Sequence, residues 1–104
     1  MPTFLITYHG GGEMPASPEA REQMMAAFQA WAASTGKSMI DPGAPIGRSK
    51  VVAGGSVTDG AADGRLGGYT LLSADDLGSA VALVQAHPFL SRGGTLQVSE
   101  ALSP

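Results

Sequence analysis

Hydrophobic and polar positions change period along the chain, and the changes mark out its elements. The run TFLITY (3–8) is rich in β-branched and aromatic residues, with Phe4, Ile6 and Tyr8 alternating against Leu5. It predicts a first strand, ended by Gly10-Gly11-Gly12. The period then lengthens: Met24, Ala27, Phe28, Trp31 and Ala32 fall at i, i+3, i+4, i+7 and i+8, one buried stripe of a helix. Ser17 is a good N-cap for it, Pro18 suits its first position, and Glu19 and Glu22 suit its positive end. Gly36 is placed to stop it. The segment SMIDPGAPIGRSKVVAGG has extended signals broken by Pro42 and Pro45, then a predicted strand near Arg48–Ala53. GGSVTDGAADGRLGG reads as a long Gly/Asp-rich hairpin connection, and Gly68–Ser73 as a third strand. A second helix opens with a capping-box-like Ser73 and Asp76 and buries Leu77, Ala80, Val81 and Val84, weakened a little by Gly78. Pro88 marks its stop, and GGTLQVSEAL supplies the last strand. The order β-α-β-β-α-β predicts an α+β fold, a ferredoxin-like sandwich with an antiparallel four-stranded sheet.

Two helices can cover only one face of such a sheet. Leu5 on the first strand and the Tyr69/Leu71 pair set against Leu72 on the third make both faces apolar, so both need cover. The simplest cover is a second copy, sheet against sheet, in an isologous homodimer. A small organic ligand fits between two such sheets. The alternative is a flat, fully packed interface.

Composition narrows the function. A chain of 104 residues is read as a single domain, 1–104, and buries about 60–70% of its unfolded surface. Six Lys and Arg against nine Asp and Glu give a net charge of −3 with no basic block, which argues against nucleic acid as a partner. Absence of cysteine excludes disulfides, thiolate nucleophiles and Cys-based zinc sites. The apolar start MPTFLITYHGGG is too short, and lacks the basic beginning, for a signal peptide. No stretch approaches the roughly 20 apolar residues of a transmembrane helix, so no membrane partner and a cytoplasmic location are expected.

Three motifs fall away on inspection. YHGGG (8–12) resembles the oxyanion loop of esterases, but no G-x-S-x-G elbow accompanies it. TGKS (35–38) looks like the tail of a phosphate-binding loop, yet the required earlier glycine is Trp31; a helix cap and a cation at the helix end explain it better. His9, His87 and scattered carboxylates have no metal-ligand spacing, and DGAADG (59–64) lacks that of a calcium loop. Neither a metal nor a cofactor is implied.

The second half of the chain, VTDG…LGGYTLLSADDLGSAVALVQAHPFLSRGGTLQVSEAL, resembles the YCII-related family and its DGPF-type branch. The features that carry the resemblance are Asp59-Gly60, Gly67-Gly68-Tyr69, the S-x-D-x-L-x-x-A opening of the second helix, His87-Pro88 and the GG-T-hydrophobic-x-V strand. YHGGGEMPASPEAREQMMAAFQAW and DPGAPIG extend it over nearly the whole chain. The resemblance implies a dimeric α+β barrel. It also implies, for some members, catalysis by a first-helix histidine and an aspartate before the proline after the second helix. Here those positions hold Met24 and His87, so that dyad is missing.

His87 therefore has two readings. It could act as acid or base at a cleft, with Asp41, Asp59 or Tyr8 assisting. The reading preferred over this one, because it needs no partner, is that His87 caps the second helix as a favourable group at the negative end. The candidate catalytic residues are His87 and Asp41; the candidate ligand contacts are Tyr8, His9, Arg48 and Asp59, with Arg48 offering its fork to an anion. The leading function is a homodimer binding a small organic molecule. The rival is a cofactor-free lyase, isomerase or dehydrochlorinase-like enzyme with His87 moving the proton, and whether any catalysis occurs stays open. A purely structural interaction module is the third.

Overall fold

A computed structural model describes residues 2–10, 15–60 and 66–103. Its elements are β1 (Thr3–Gly10), α1 (Pro18–Thr35), β2 (Met39–Pro45), β3 (Lys50–Ala53), β4 (Ser56–Asp59), β5 (Gly68–Ser73), α2 (Leu77–Val84) and β6 (Gly94–Ala101), with 3-10 turns at Gly36–Ser38 and Pro88–Arg92. The main sheet is antiparallel, in the order β2-β5-β1-β6. With α1 and α2 this is the ferredoxin-like α+β fold that the periodicity predicts, and a β3-β4 hairpin is inserted between its second and third sheet strands.

The hairpin corrects one expectation. The strand at Arg48–Ala53 does not belong to the main sheet; among the described residues Lys50–Ala53 pairs only with Ser56–Asp59. The second sheet strand is instead the proline-broken segment Met39–Pro45. Its prolines are tolerated because β2 is an edge strand, where a missing N–H interrupts no inner ladder. Register shifts on both sides of Asp41 bend it. Gly43 lies at φ +78°, and a Cβ there would sit 1.7 Å from the Tyr69 carbonyl oxygen, so only glycine fits. The expected ends of the first strand at Gly11-Gly12, and residues 61–65 of the Gly/Asp-rich connection, lie outside the described residues.

The caps follow the sequence closely. Ser17 Oγ accepts from the Ala20 N–H at 3.1 Å, Pro18 opens α1, and Gly36 closes it by donating to Ala33 O. α2 is capped by Asp76, whose carboxylate accepts from the Ser79 N–H at 2.8 Å, rather than by a box with Ser73. Ser73 is still within β5 and pairs with Thr3. Three residues of the predicted helical stripes are misphased. Ala27 is exposed, and so are Leu77 and Val81, while Ala80 and Val84 are buried.

Alternation along β1 and β5 sends Phe4, Ile6, Thr70 and Leu72 toward the helices, where they join Trp31, Ala80 and Val84 in the core. Trp31 closes it, its indole N–H donating to Leu83 O at 2.9 Å. The opposite face carries Leu5, Thr7, His9, Tyr69 and Leu71, and neither helix lies over it. The hairpin does not cover it either. The molecule is a slab of 44 × 43 × 19 Å, so the arm extends the layers sideways instead of adding a third.

Replacing Trp31 with Ala removes both the ring and its hydrogen bond. We expect a loss of about 3–5 kcal/mol in denaturant unfolding. A near-neutral result would mean that Trp31 does not close the core.

Candidate functional site at the His87 corner

Where α2 ends, the chain turns at His87-Pro88 into the second 3-10 turn, and His87 is drawn inward until 5% of its surface remains exposed. Its ring enters an aromatic cage. Trp31 lies 4.3 Å away between ring centroids, Tyr8 5.1 Å and Phe28 5.7 Å. Phe89 packs edge-on to Tyr8 at 5.2 Å, a position open only because Gly94 has no side chain; a Cβ there would lie 2.2 Å from the Phe89 ring.

Both ring nitrogens of His87 are engaged. The Phe89 backbone N–H donates to Nδ1 at 3.0 Å, and Nε2 lies 2.7 Å from the Tyr8 hydroxyl. Tyr8 Oη lies 2.8 Å from Thr70 Oγ1, which donates to Pro42 O at 2.9 Å. These contacts allow one direction for every proton. An Nδ1 that accepts leaves the neutral ring its hydrogen on Nε2. That N–H donates to Tyr8, Tyr8 donates to Thr70, and Thr70 donates to the carbonyl. The chain therefore runs Phe89 N–H to His87, then Tyr8, then Thr70, then Pro42 O. Among the described residues no buried side-chain polar atom lacks a partner.

Burial lowers the His87 pKa from 6.5 to about 4, so the ring is neutral at pH 7. Burial also raises that of Tyr8, with the Thr70 hydrogen bond partly opposing it. A protonated His87 would need Nδ1 to donate, and its neighbour there is itself a donor. The expected helix cap is thus replaced by another. His87 stands beyond α2, and its side chain caps the start of the following 3-10 turn as an acceptor, not the end of α2 as a cation.

Of the residues singled out in the sequence, the structure brings Tyr8 and His87 together. His9 follows Tyr8 on β1 and so projects from the other face, where its ring bonds Thr7 Oγ1 at 2.9 Å. Asp41 pairs with Leu71 in register, and its carboxylate accepts from the Gly43 N–H at 2.9 Å, shaping the bend in β2. Arg48 is exposed between β2 and β3. Asp59 ends the hairpin, ion-paired with Lys50 at 3.0 Å. Thr70 and Phe89 complete the corner but escape sequence reading. The available signal for Thr70 was its place between Gly68 and Leu72 on the core phase of β5.

Two shallow surface grooves lie elsewhere, one lined by Ser38, Ala74, Asp75, Ser79, Ala82 and Leu83, the other by Pro2, Thr3 and Glu100 to Ser103. Among the described residues no group of three His, Asp or Glu converges as a metal site, and no helix is long and apolar enough to cross a membrane.

No protein-family model matches the chain, and no curated protein is significantly similar to it. Among solved structures, it is similar to 5-chloro-2-hydroxyhydroquinone dehydrochlorinase (TftG) from Burkholderia phenoliruptrix AC1100, in complex with 2,5-dihydroxybenzoquinone. The two are 18% identical over 91% of this chain and 90% of that one, with a TM-score of 0.52. The likeness is one of fold.

Two predictions arise at this corner. Between pH 6.5 and about 4 the unfolded chain takes up a proton that folded His87 refuses. Stability therefore falls as pH is lowered through that window and is level above it, by up to about 3 kcal/mol in all. Asp76, held below its ordinary value by the Ser79 hydrogen bonds, loses its contribution only at lower pH. Urea unfolding of wild type and His87→Gln across pH 4–7 should show the His87 slope in the first and not in the second. Tyr8→Phe leaves the His87 N–H without its acceptor and should cost about 1–3 kcal/mol at pH 7; an unchanged unfolding midpoint would contradict the directed chain.

Proposed function

We propose that this chain is a cytoplasmic protein of YCII-related type that works as a homodimer, sheet against sheet, and binds a small organic molecule between the sheets. The observation that carries this reading is the uncovered sheet face, where apolar Leu5, Tyr69 and Leu71 stand beside polar Thr7 and His9. An apolar floor with a few polar groups suits a hydroxylated ring, whose faces need burial and whose oxygens need partners. His9 is the polar contact favoured on this face, with Asp41 at its edge and Arg48 beyond it as anion contact. The fold shared with a protein solved on 2,5-dihydroxybenzoquinone favours the same ligand class.

Sedimentation equilibrium tests the dimer, and thermal shift against dihydroxybenzoquinones and hydroquinones tests the ligand. We expect a dimer whose Tm rises by several degrees with saturating ligand, and a smaller rise in Tyr69→Ala. A chain monomeric at every concentration, or a Tm indifferent to the whole panel, would overturn the reading.

A second reading, a cofactor-free lyase acting on such a ring, is favoured by the 2.7 Å contact between Tyr8 and His87. In it the substrate binds at this corner, not between the sheets, and Tyr8 gives up its bond to Thr70 to exchange a proton with it while the His87 N–H steadies the phenol oxygen. Chloride release from a chlorinated hydroxyhydroquinone is the assay. Loss in both Tyr8→Phe and His87→Gln, each folded by circular dichroism, supports it; release unaltered in both, or absent in wild type, rejects it.

A further inference from the structure

The β3-β4 hairpin has no evident work within its own chain. Among the described residues it pairs with itself alone, closed by the Gly54-Gly55 turn at one end and by the Lys50–Asp59 ion pair at the other. Val52 and Val57 face each other across the strands, 75% and 61% exposed, so their side chains share one side of the ribbon. An isolated two-stranded hairpin is marginal in water and needs a surface to lie on.

The size of the molecule says how much surface is waiting. The chain exposes 6969 Å², whereas a compact monomer of its mass exposes about 5,400 Å². Its radius of gyration is 15.0 Å, against about 13 Å for a compact domain of this length. The excess of about 1,500 Å² exceeds the roughly 800 Å² that each partner buries in a standard interface. Residues 51–58, VVAGGSVT, carry no charge. A neutral, β-branched surface does not repel its own copy, as an isologous contact requires.

We propose that this hairpin is a dimerisation arm, its Val52/Val57 side seated on a second copy of the chain and the second copy's arm seated reciprocally. The inference deepens the homodimer reading and rests on it. The arm clasps beyond the rim of the sheet contact, so a dimer can be firm while the space between the sheets stays open for a ligand.

Sedimentation equilibrium of the full chain, beside Val52→Asp combined with Val57→Asp, tests it, with amide hydrogen exchange read over residues 50–59. Both valines lie outside the core, so the double variant should keep the circular dichroism of the folded chain. We expect a wild-type dimer with slow exchange along the arm, and in the variant a dimer weakened by about tenfold or more, with fast exchange there. A wild-type dimer whose strength and arm exchange are the same in the variant overturns the arm and leaves the sheet contact standing. A wild type that never dimerises overturns both.

Discussion

The corner of this fold is organised by a histidine that has given up its charge. Because His87 accepts from the Phe89 amide, its other nitrogen must donate, and that single constraint fixes the hydroxyls of Tyr8 and Thr70 in turn. The chain of hydrogen bonds joins the turn after α2 to β1, β5 and the bent edge strand β2, whose Pro42 carbonyl receives the last proton. Packing alone would hold these elements together. The directed polar chain also fixes their relative setting, since a half-satisfied buried network costs more than an apolar one.

Two neighbouring residues, Tyr8 and His9, separate the two sides of the protein. The alternation of β1 commits Tyr8 to the core network and His9 to the open face. The neutral His87 and its hydrogen-bonded partners are thereby kept on the opposite side of the sheet from His9. The open face has the ordinary ingredients of recognition, and the corner behind it has the rigidity to hold that face in shape.

Much of the architecture was legible in the chain. The period of α1 and its Ser17, Pro18 and Gly36 boundaries are local effects, decided within one or two turns of backbone. β2 was illegible for the opposite reason: Pro42, Gly43 and Pro45 argue locally against a strand, and only the edge position and the close approach to Tyr69 make them acceptable. The strand-like stretch Arg48–Ala53 reads as a sheet member because β-propensity does not name a partner. At the corner, His87 drew notice but its role did not, since the reach from residue 87 to residue 8 is a property of the fold. Thr70 passed as an ordinary strand threonine because burial, not identity, makes its hydroxyl informative.

The edge strands are unequal, and the inequality limits how this sheet can grow. Along β2, two prolines withhold their amides and the bends spoil the spacing, so a foreign strand finds no regular ladder to extend. β6 is regular from Gly94 to Ala101 and, among the described residues, pairs only with β1. Strand addition to the four-stranded sheet is thus confined to one side. Two copies meeting through that side use the same edge twice and leave only their blunted sides outward, so such pairing ends at two and does not propagate into a fibre.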